Sequence, residues 1–424
     1  MRTIFLCLAA VWFVSISESV AQVQPDTVLP RYIDRALQVS PRLNALRAQQ
    51  RAVNRRIPQV SSLPDPRLAF SLSNLPVNSF AFTQEPMTGK VVAVAQTLPF
   101  PGKLSTRGDI VHQDEMIVLR QFEDERNSII REVKKTYYEL AYIRRVIAIE
   151  KQSRQLLRDI SRIVRTKYEV GKGSQQDIVK SHLEITRITD RILKLQERFQ
   201  ALAERLNALL LREPKAAVVV DSLHDPTNTV FRIDDLLDSA RANRPFLRGL
   251  EEAVLKAKFQ KELAELQWYP DFTVGLAYSQ RDYLLTTGTD LNDLASITVG
   301  INIPLDYGGK RSAAEEEATA LEKMYTDQYN SVLQTLQKLF AKSDAAITTI
   351  RERIHLLETG LLPQASQALR ASLAGYQVGE VDYLNVLDNQ VKLFDIEMDL
   401  VRLRADYWKE IAEIEFLAGI EVQS

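Results

Sequence analysis

Cysteine is all but missing. The single one, Cys7, sits in an apolar run at the start of a 424-residue chain. That excludes an internal disulfide framework, and it excludes thiol chemistry in whatever remains once such a leader is removed. Histidine is nearly as scarce. His112, His182, His224 and His355 are scattered, and no pair has ligand spacing on a helix face, so no metal site is expected. Neither sign of charge is in excess: 54 Lys and Arg stand against 55 Asp and Glu, without the basic surplus of a nucleic-acid binder. Glycine and proline number only 15 and 16, and charged residues reach 26%, which does not describe a disordered chain. Beyond the first residues no stretch approaches 18 uncharged apolar residues, so a membrane-spanning helix is not expected. There is no nucleophile elbow, no phosphate-binding glycine loop and no zincin motif. Enzyme activity and a bound cofactor are therefore not expected.

What is present begins with an export signal. Arg2 supplies a positive start, "IFLCLAAVWFVSI" an apolar core, and Ser19 and Ala21 the small residues before Gln22. Residues 1–21 read as a signal peptide cleaved after Ala21. Cys7 lacks the small-residue context of a lipid-modified cysteine, so no lipid anchor is expected.

The chain also matches itself. "LPDPRLAFSLS" pairs with "WYPDFTVGLAYS", "TLPFPGKLSTR" with "NIPLDYGGKRS", and "KYEVGKGSQQDIVKSHLEI" with "GYQVGEVDYLNVLDNQVKL". The offsets are nearly constant: 270 − 64 = 206, 310 − 103 = 207 and 376 − 168 = 208. A steady offset over three separate segments marks a duplication, with a first repeat over 22–232 and a second over 233–424. Each predicts a helix (30–58; 233–266), two strands (66–74 and 90–98; 272–280 and 295–303), a very long helix (104–168; 309–374), a glycine turn and a last helix (175–211; 381–418). Apolar residues recur at three- and four-residue steps along the long helices, as in coiled coils. The last helix carries two stripes, Leu384 to Trp408 and Ile396 to Ile414, so it needs neighbours on two sides. About 65 helical residues span roughly 100 Å, far more than a globular domain requires.

The strands alternate with period two. One face is broad and apolar: Leu68, Phe70 and Leu72; Val92 and Val94; Phe272, Val274, Leu276 and Tyr278; Ile297, Val299 and Ile301. The other is Ala, Ser, Thr and Gly. A soluble strand would place Lys or Glu on its wet face. A strand between lipid and a water-filled lumen needs this pattern instead. Four strands cannot close a barrel, and open edges in lipid are costly, so other copies of the chain must complete it. The alternative is two soluble hairpins on a periplasmic coiled-coil scaffold.

A signal peptide, two copies of helix, strand, strand, long helix and helix, and the turns "YEVGKGSQQDI" and "YQVGEVDYLNVLD" together resemble the TolC-like outer-membrane efflux factors, over nearly the whole chain after the leader. "DPRLAFSLSN" and "AQTLPFPGKLSTR" look most like the branch paired with cobalt–zinc–cadmium or copper–silver pumps. The resemblance implies a mainly α fold with a small membrane β part, in which a homotrimer completes a 12-stranded barrel in the outer membrane lipid above a helical tunnel. It implies an exit duct for heavy-metal cations or small toxic compounds, working with a periplasmic adaptor and an inner-membrane pump. Ducts for drugs or for protein secretion share the pattern. Carried over by position, the adaptor would meet the tips at Tyr168, Val170, Gly171, Ser174, Val378 and Gly379. A Tyr376–Asp177 hydrogen bond would help close the periplasmic gate. Asp388 would supply an acidic ring, with Asn385 where a second acid would stand.

Overall fold

The computed structural model describes residues 28–227 and 231–422; the expected leader, with Cys7, lies outside them. The chain order is Val28–Val39 (α1), Pro41–Asn54 (α2), Ile57–Ser61 (α3), Arg67–Ser73 (β1), Gly89–Leu98 (β2), Lys103–Glu169 (α4), Gln175–Leu209 (α5), Ile233–Asn243 (α6), Pro245–Leu266 (α7), Phe272–Gln280 (β3), Leu294–Ile301 (β4), Lys310–Leu356 (α8), Leu362–Val378 (α9) and Tyr383–Ala418 (α10). Among the described residues no helix is long and apolar enough to cross a membrane.

Two helices expected to be continuous are broken, and a third is locally widened. The 30–58 stretch breaks at Ser40, whose hydroxyl caps the Leu43 amide of α2 (3.4 Å), and the 233–266 stretch breaks at Arg244. In both places the next residue is a proline, Pro41 or Pro245, at the first turn of the new helix. Proline has no amide to donate and its ring clashes with the carbonyl four residues back, so it starts helices and interrupts them. The 309–374 helix contains one wider π turn, Leu357–Leu361, between α8 and α9. The offsets between repeats explain it. They grow from 207 at Lys103 and Lys310 to 208 at Tyr168 and Tyr376, so the second column carries one residue more than the first over the same span. A π turn absorbs one extra residue without breaking the column. The expected strand 295–303 stops at Ile301, ahead of Pro304.

The two seams expected on α10 are both filled. Phe394, Val401 and Ala405 pack on Tyr142, Ile143, Val146 and Ile149 of α4, while Leu400 and Leu403 meet Ile354 and Leu357. Farther along, Tyr407, Trp408, Ile411 and Ile414 pack against Leu236, Leu336 and Phe340. Burying a large apolar side chain is worth about 1.5–3 kcal/mol, so these seams tie the two halves into one body. Glu139 on α4 adds a charged tie to α10 and α5, with Lys409 and Arg198 at 2.7 Å and Arg402 at 3.4 Å.

The strands form one antiparallel sheet in the order β1-β2-β3-β4. The two hairpins are congruent. Moving β1 forward by 206 residues and β2 by 205 (304 − 99) turns each of the seven pairs of the first hairpin into a pair of the second. Leu68–Val94 becomes Val274–Val299, and Phe70–Val92 becomes Leu276–Ile297.

Candidate functional site

Two regions at opposite ends of α4 carry the features that no core requires: the sheet and the glycine turns.

In the sheet, residues paired directly across strands share a face. Leu68, Val94, Leu276 and Ile297 form one row, and Phe70, Val92 and Tyr278 the next. All are exposed. Exposure is greatest on the outer strands: 74% at Phe70 and 76% at Ile297, against 41% at Val92 and 38% at Val274. The opposite face is Ala69, Ala93, Ala277 and Ser296, then Gly275 and Thr298. The apolar band is bounded by charge at both ends. Lys90 meets Asp282 at 3.0 Å on the loop side, and Lys103 meets Asp271 at 2.8 Å on the helix side. From Phe272 to Gln280 the strand covers about 27 Å, which after tilting approaches the apolar band of a membrane barrel, about 25 Å. Gln96 interrupts the band, and its amide is satisfied by the carbonyls of Pro64 (2.8 Å) and Thr97 (2.9 Å).

The joint between sheet and helices is built from buried Lys103. Its ammonium donates to Asp271 Oδ1 and the Tyr269 carbonyl, both at 2.8 Å. The Phe100 amide donates to the same carboxylate at 2.9 Å, and Phe100 stacks on Tyr269 at 4.6 Å. Burial alone would raise the Asp271 carboxyl; the bonds from Lys103 and the Phe100 amide hold it below its ordinary range. Proline and aspartate mark this stretch in the sequence, but periodicity gives no sign that Lys103 and Asp271 meet.

At the far end, α4 and α5 are joined by one turn and α9 and α10 by another. Gly171 (φ 73°) and Gly379 (φ 92°) adopt the left-handed conformation that ends a helix. A Cβ at either would meet nothing within 4 Å. Their neighbours Val170 and Val378 are 63% and 73% exposed, and Tyr168 is exposed too. Ser174 has a different job. Its hydroxyl accepts from the Asp177 amide (3.2 Å) and caps α5.

The expected Tyr376–Asp177 hydrogen bond is not formed. The Tyr376 ring is buried in a cluster with Ile160, Val164, Leu369 and Leu393, and its hydroxyl has no hydrogen-bond partner among the described residues. Burial, then the nearby Asp177 charge and Tyr383, push its phenol up to about 12. Two other contacts hold the turns together. Lys167 at the end of α4 donates to the Tyr376 carbonyl and lies 4.5 Å over its ring. Tyr383 of α10 pairs with buried Ser181 of α5 at 2.6 Å. Gly375 completes the packing: a Cβ there would fall 2.6 Å from Val381 Cγ2. Lys167, Tyr383, Ser181 and Gly375 were not singled out in the sequence. The constant offset places 167 opposite 375, next to Tyr376, and that was the available signal. Asn385 and Asp388 lie apart from this group, exposed on α10, with Asp388 paired to Lys392 at 2.6 Å. Among the described residues, no three His, Asp or Glu side chains gather as a metal-holding group.

Comparison with known proteins fits this geometry. The outer membrane efflux protein family model matches twice, over residues 32–210 and 236–419. The outer membrane efflux protein BepC of Brucella suis is 23% identical over 86% of this chain and 79% of its own length. The cobalt-zinc-cadmium resistance protein CzcC of Cupriavidus metallidurans is 26% identical over 44% of each chain. The chain spans 59% and 54% of the lengths of two further curated relatives. The crystal structure of the outer membrane protein VceC from Vibrio cholerae superposes with a TM-score of 0.77 at 21% identity, covering 92% of this chain and 96% of that one. With its model matched over most of the sequence, the chain belongs to the outer membrane efflux protein family, channels that sit in the outer membrane and extend into the periplasm.

Proposed function

We propose that three copies of this chain form the exit duct of a tripartite efflux system and that its cargo is heavy-metal cations. One observation carries the duct: a four-stranded sheet with an apolar outer face and two open edges, set at the end of a helical column roughly 100 Å long. Three such sheets close into twelve strands, which removes every edge from lipid. The small inner face leaves the lumen clear. The cargo rests on the likeness to CzcC, named for cobalt, zinc and cadmium resistance. The duct itself selects nothing; an inner-membrane pump supplies the drive. The exposed Val170–Gly171 and Val378–Gly379 turns take the tip of a periplasmic adaptor. The gate is the pair of turns held shut by Lys167 on the Tyr376 carbonyl and Tyr383 on Ser181, with Asp388, farther along α10 from the turns, as a ring of three carboxylates on the barrel side. Deleting the chain should sensitise its host to cobalt, zinc and cadmium, with restoration by the wild-type chain. Unchanged metal tolerance alongside new sensitivity to drugs would reject the cargo and keep the duct.

A further inference from the structure

The duplication supplies a template for how one copy meets the next. Within a chain, β2 of the first repeat pairs with β3 of the second: Gln96 with Val274, Val94 with Leu276, Val92 with Tyr278. The remaining edges are β4 of the second repeat and β1 of the first. A ring of alternating, near-congruent repeats is most regular when the junction from second to first repeats the junction from first to second. The shifts that superpose the two hairpins therefore carry the β2–β3 register onto the β4–β1 junction between copies. Moved by 205 and 206 residues, those three pairs become Ile301 with Leu68, Val299 with Phe70 and Ile297 with Leu72. All six residues lie on the apolar face. A register displaced by one residue would put each apolar side chain opposite the small face.

Two further observations point to the same junction. The edge strands carry little of the usual protection against pairing: apart from Arg67 at the very start of β1, "LAFSLS" and "LASITVGI" contain no charge or proline, and their pairing inside the sheet runs without a bulge. The ion pair at the joint also has an unused twin. Lys103 stands first in α4 behind Gly102, just as Lys310 stands first in α8 behind Gly309, and Asp271 follows Pro270 as Asp65 follows Pro64. Lys103 and Asp271 pair within the chain. Lys310 and Asp65 are exposed and form no ion pair among the described residues.

We propose that β4 of one copy pairs antiparallel with β1 of the next in the register Ile301, Val299 and Ile297 against the partner's Leu68, Phe70 and Leu72, and that Lys310 meets the partner's Asp65. The inference rests on the duct reading, and its test separates the two. In a Cys7→Ser background, Val299→Cys with Phe70→Cys is compared with Ile301→Cys and Ile297→Cys, each also with Phe70→Cys. Within one chain β1 and β4 are separated by two strands, about 14 Å. That is beyond disulfide reach, so every cross-link joins two copies. Oxidation in outer membranes should link the Val299–Phe70 pair at least about tenfold faster than either displaced pair, giving a ladder ending at three chains. Fastest linking at a displaced pair overturns the register, and no linking by any pair overturns the edge junction, while a trimeric mass in detergent keeps the duct. A monomeric mass rejects the duct itself. Asp65→Lys and Lys310→Asp should each lower the temperature at which the oligomer dissociates, and together should restore most of it. Additive losses overturn the ion pair.

Discussion

Replacing Lys103 by Met tests whether the joint is held by its ion pair or only by its packing. Met keeps most of the buried stem and removes the ammonium, which donates to Asp271 Oδ1 and to the Tyr269 carbonyl, both at 2.8 Å. Breaking a fully buried pair costs about 3–5 kcal/mol. Here the Lys103 side chain is 5% exposed but that of Asp271 is 29% exposed, and the carboxylate keeps the Phe100 amide at 2.9 Å. Water reaching Asp271 reduces the loss to about 2–3 kcal/mol. Asp271→Asn should cost about 2 kcal/mol, because it strands a buried ammonium. The double variant should cost less than the two together by at least about 1 kcal/mol. Guanidinium unfolding of the detergent-solubilised proteins, followed by helical circular dichroism, gives the cycle. Its pH dependence has a definite sign. The folded Asp271 carboxyl lies below its ordinary range, so the pair stabilises the fold above the unfolded carboxylate value and loses that contribution as pH falls through the folded one. The gap between wild type and Lys103→Met should therefore be full at neutral pH and shrink in strong acid. Additive losses, or a gap independent of pH, would refute the reasoning.

Four further outcomes follow from the tips. Gly375→Ala should cost about 1–3 kcal/mol through its clash with Val381, and Val381→Ala should recover much of that in the same unfolding assay. Tyr383→Phe should cost about 1 kcal/mol and raise conductance in planar bilayers, since it strands Ser181 and loosens the closed turns; unchanged conductance would remove this contact from the gate. Because the folded Tyr376 phenol is pushed up to about 12, its contribution is intact below the unfolded value and falls as pH rises from about 10 toward 12. Tyr376→Phe should flatten that part of the pH–stability curve. Val170→Asp with Val378→Asp should abolish adaptor pull-down while leaving oligomer mass unchanged, and undiminished pull-down would move the docking surface elsewhere.

Much of this architecture is legible in the chain because its periods are strict. Alternation at Phe272–Tyr278 gives a strand with one lipid-suited face, and the two stripes, Leu384 to Trp408 and Ile396 to Ile414, give a helix packed on two sides. The helix breaks were missed because apolar periodicity runs across them; Pro41 and Pro245 each override it with a single missing amide. The π turn is invisible to periodicity but present in the arithmetic, as the one residue by which the offset grows. The gate contact was harder. A tyrosine and an aspartate at suitable positions suggest a hydrogen bond, but burial decided where the ring goes. The Tyr376 ring turns into the apolar cluster between α4 and α10, and the closing contacts fall to Lys167 and Tyr383. No local pattern marks those residues, because their partners lie about 200 positions away.

The account's central claim is that four open-edged strands are completed by other copies of the chain in a membrane. Its most direct test is the mass of the protein extracted from outer membranes, by light scattering corrected for bound detergent. The account predicts three chains per particle, soluble only with detergent and resistant to dissociation by heat. A single chain, soluble without detergent, would contradict it.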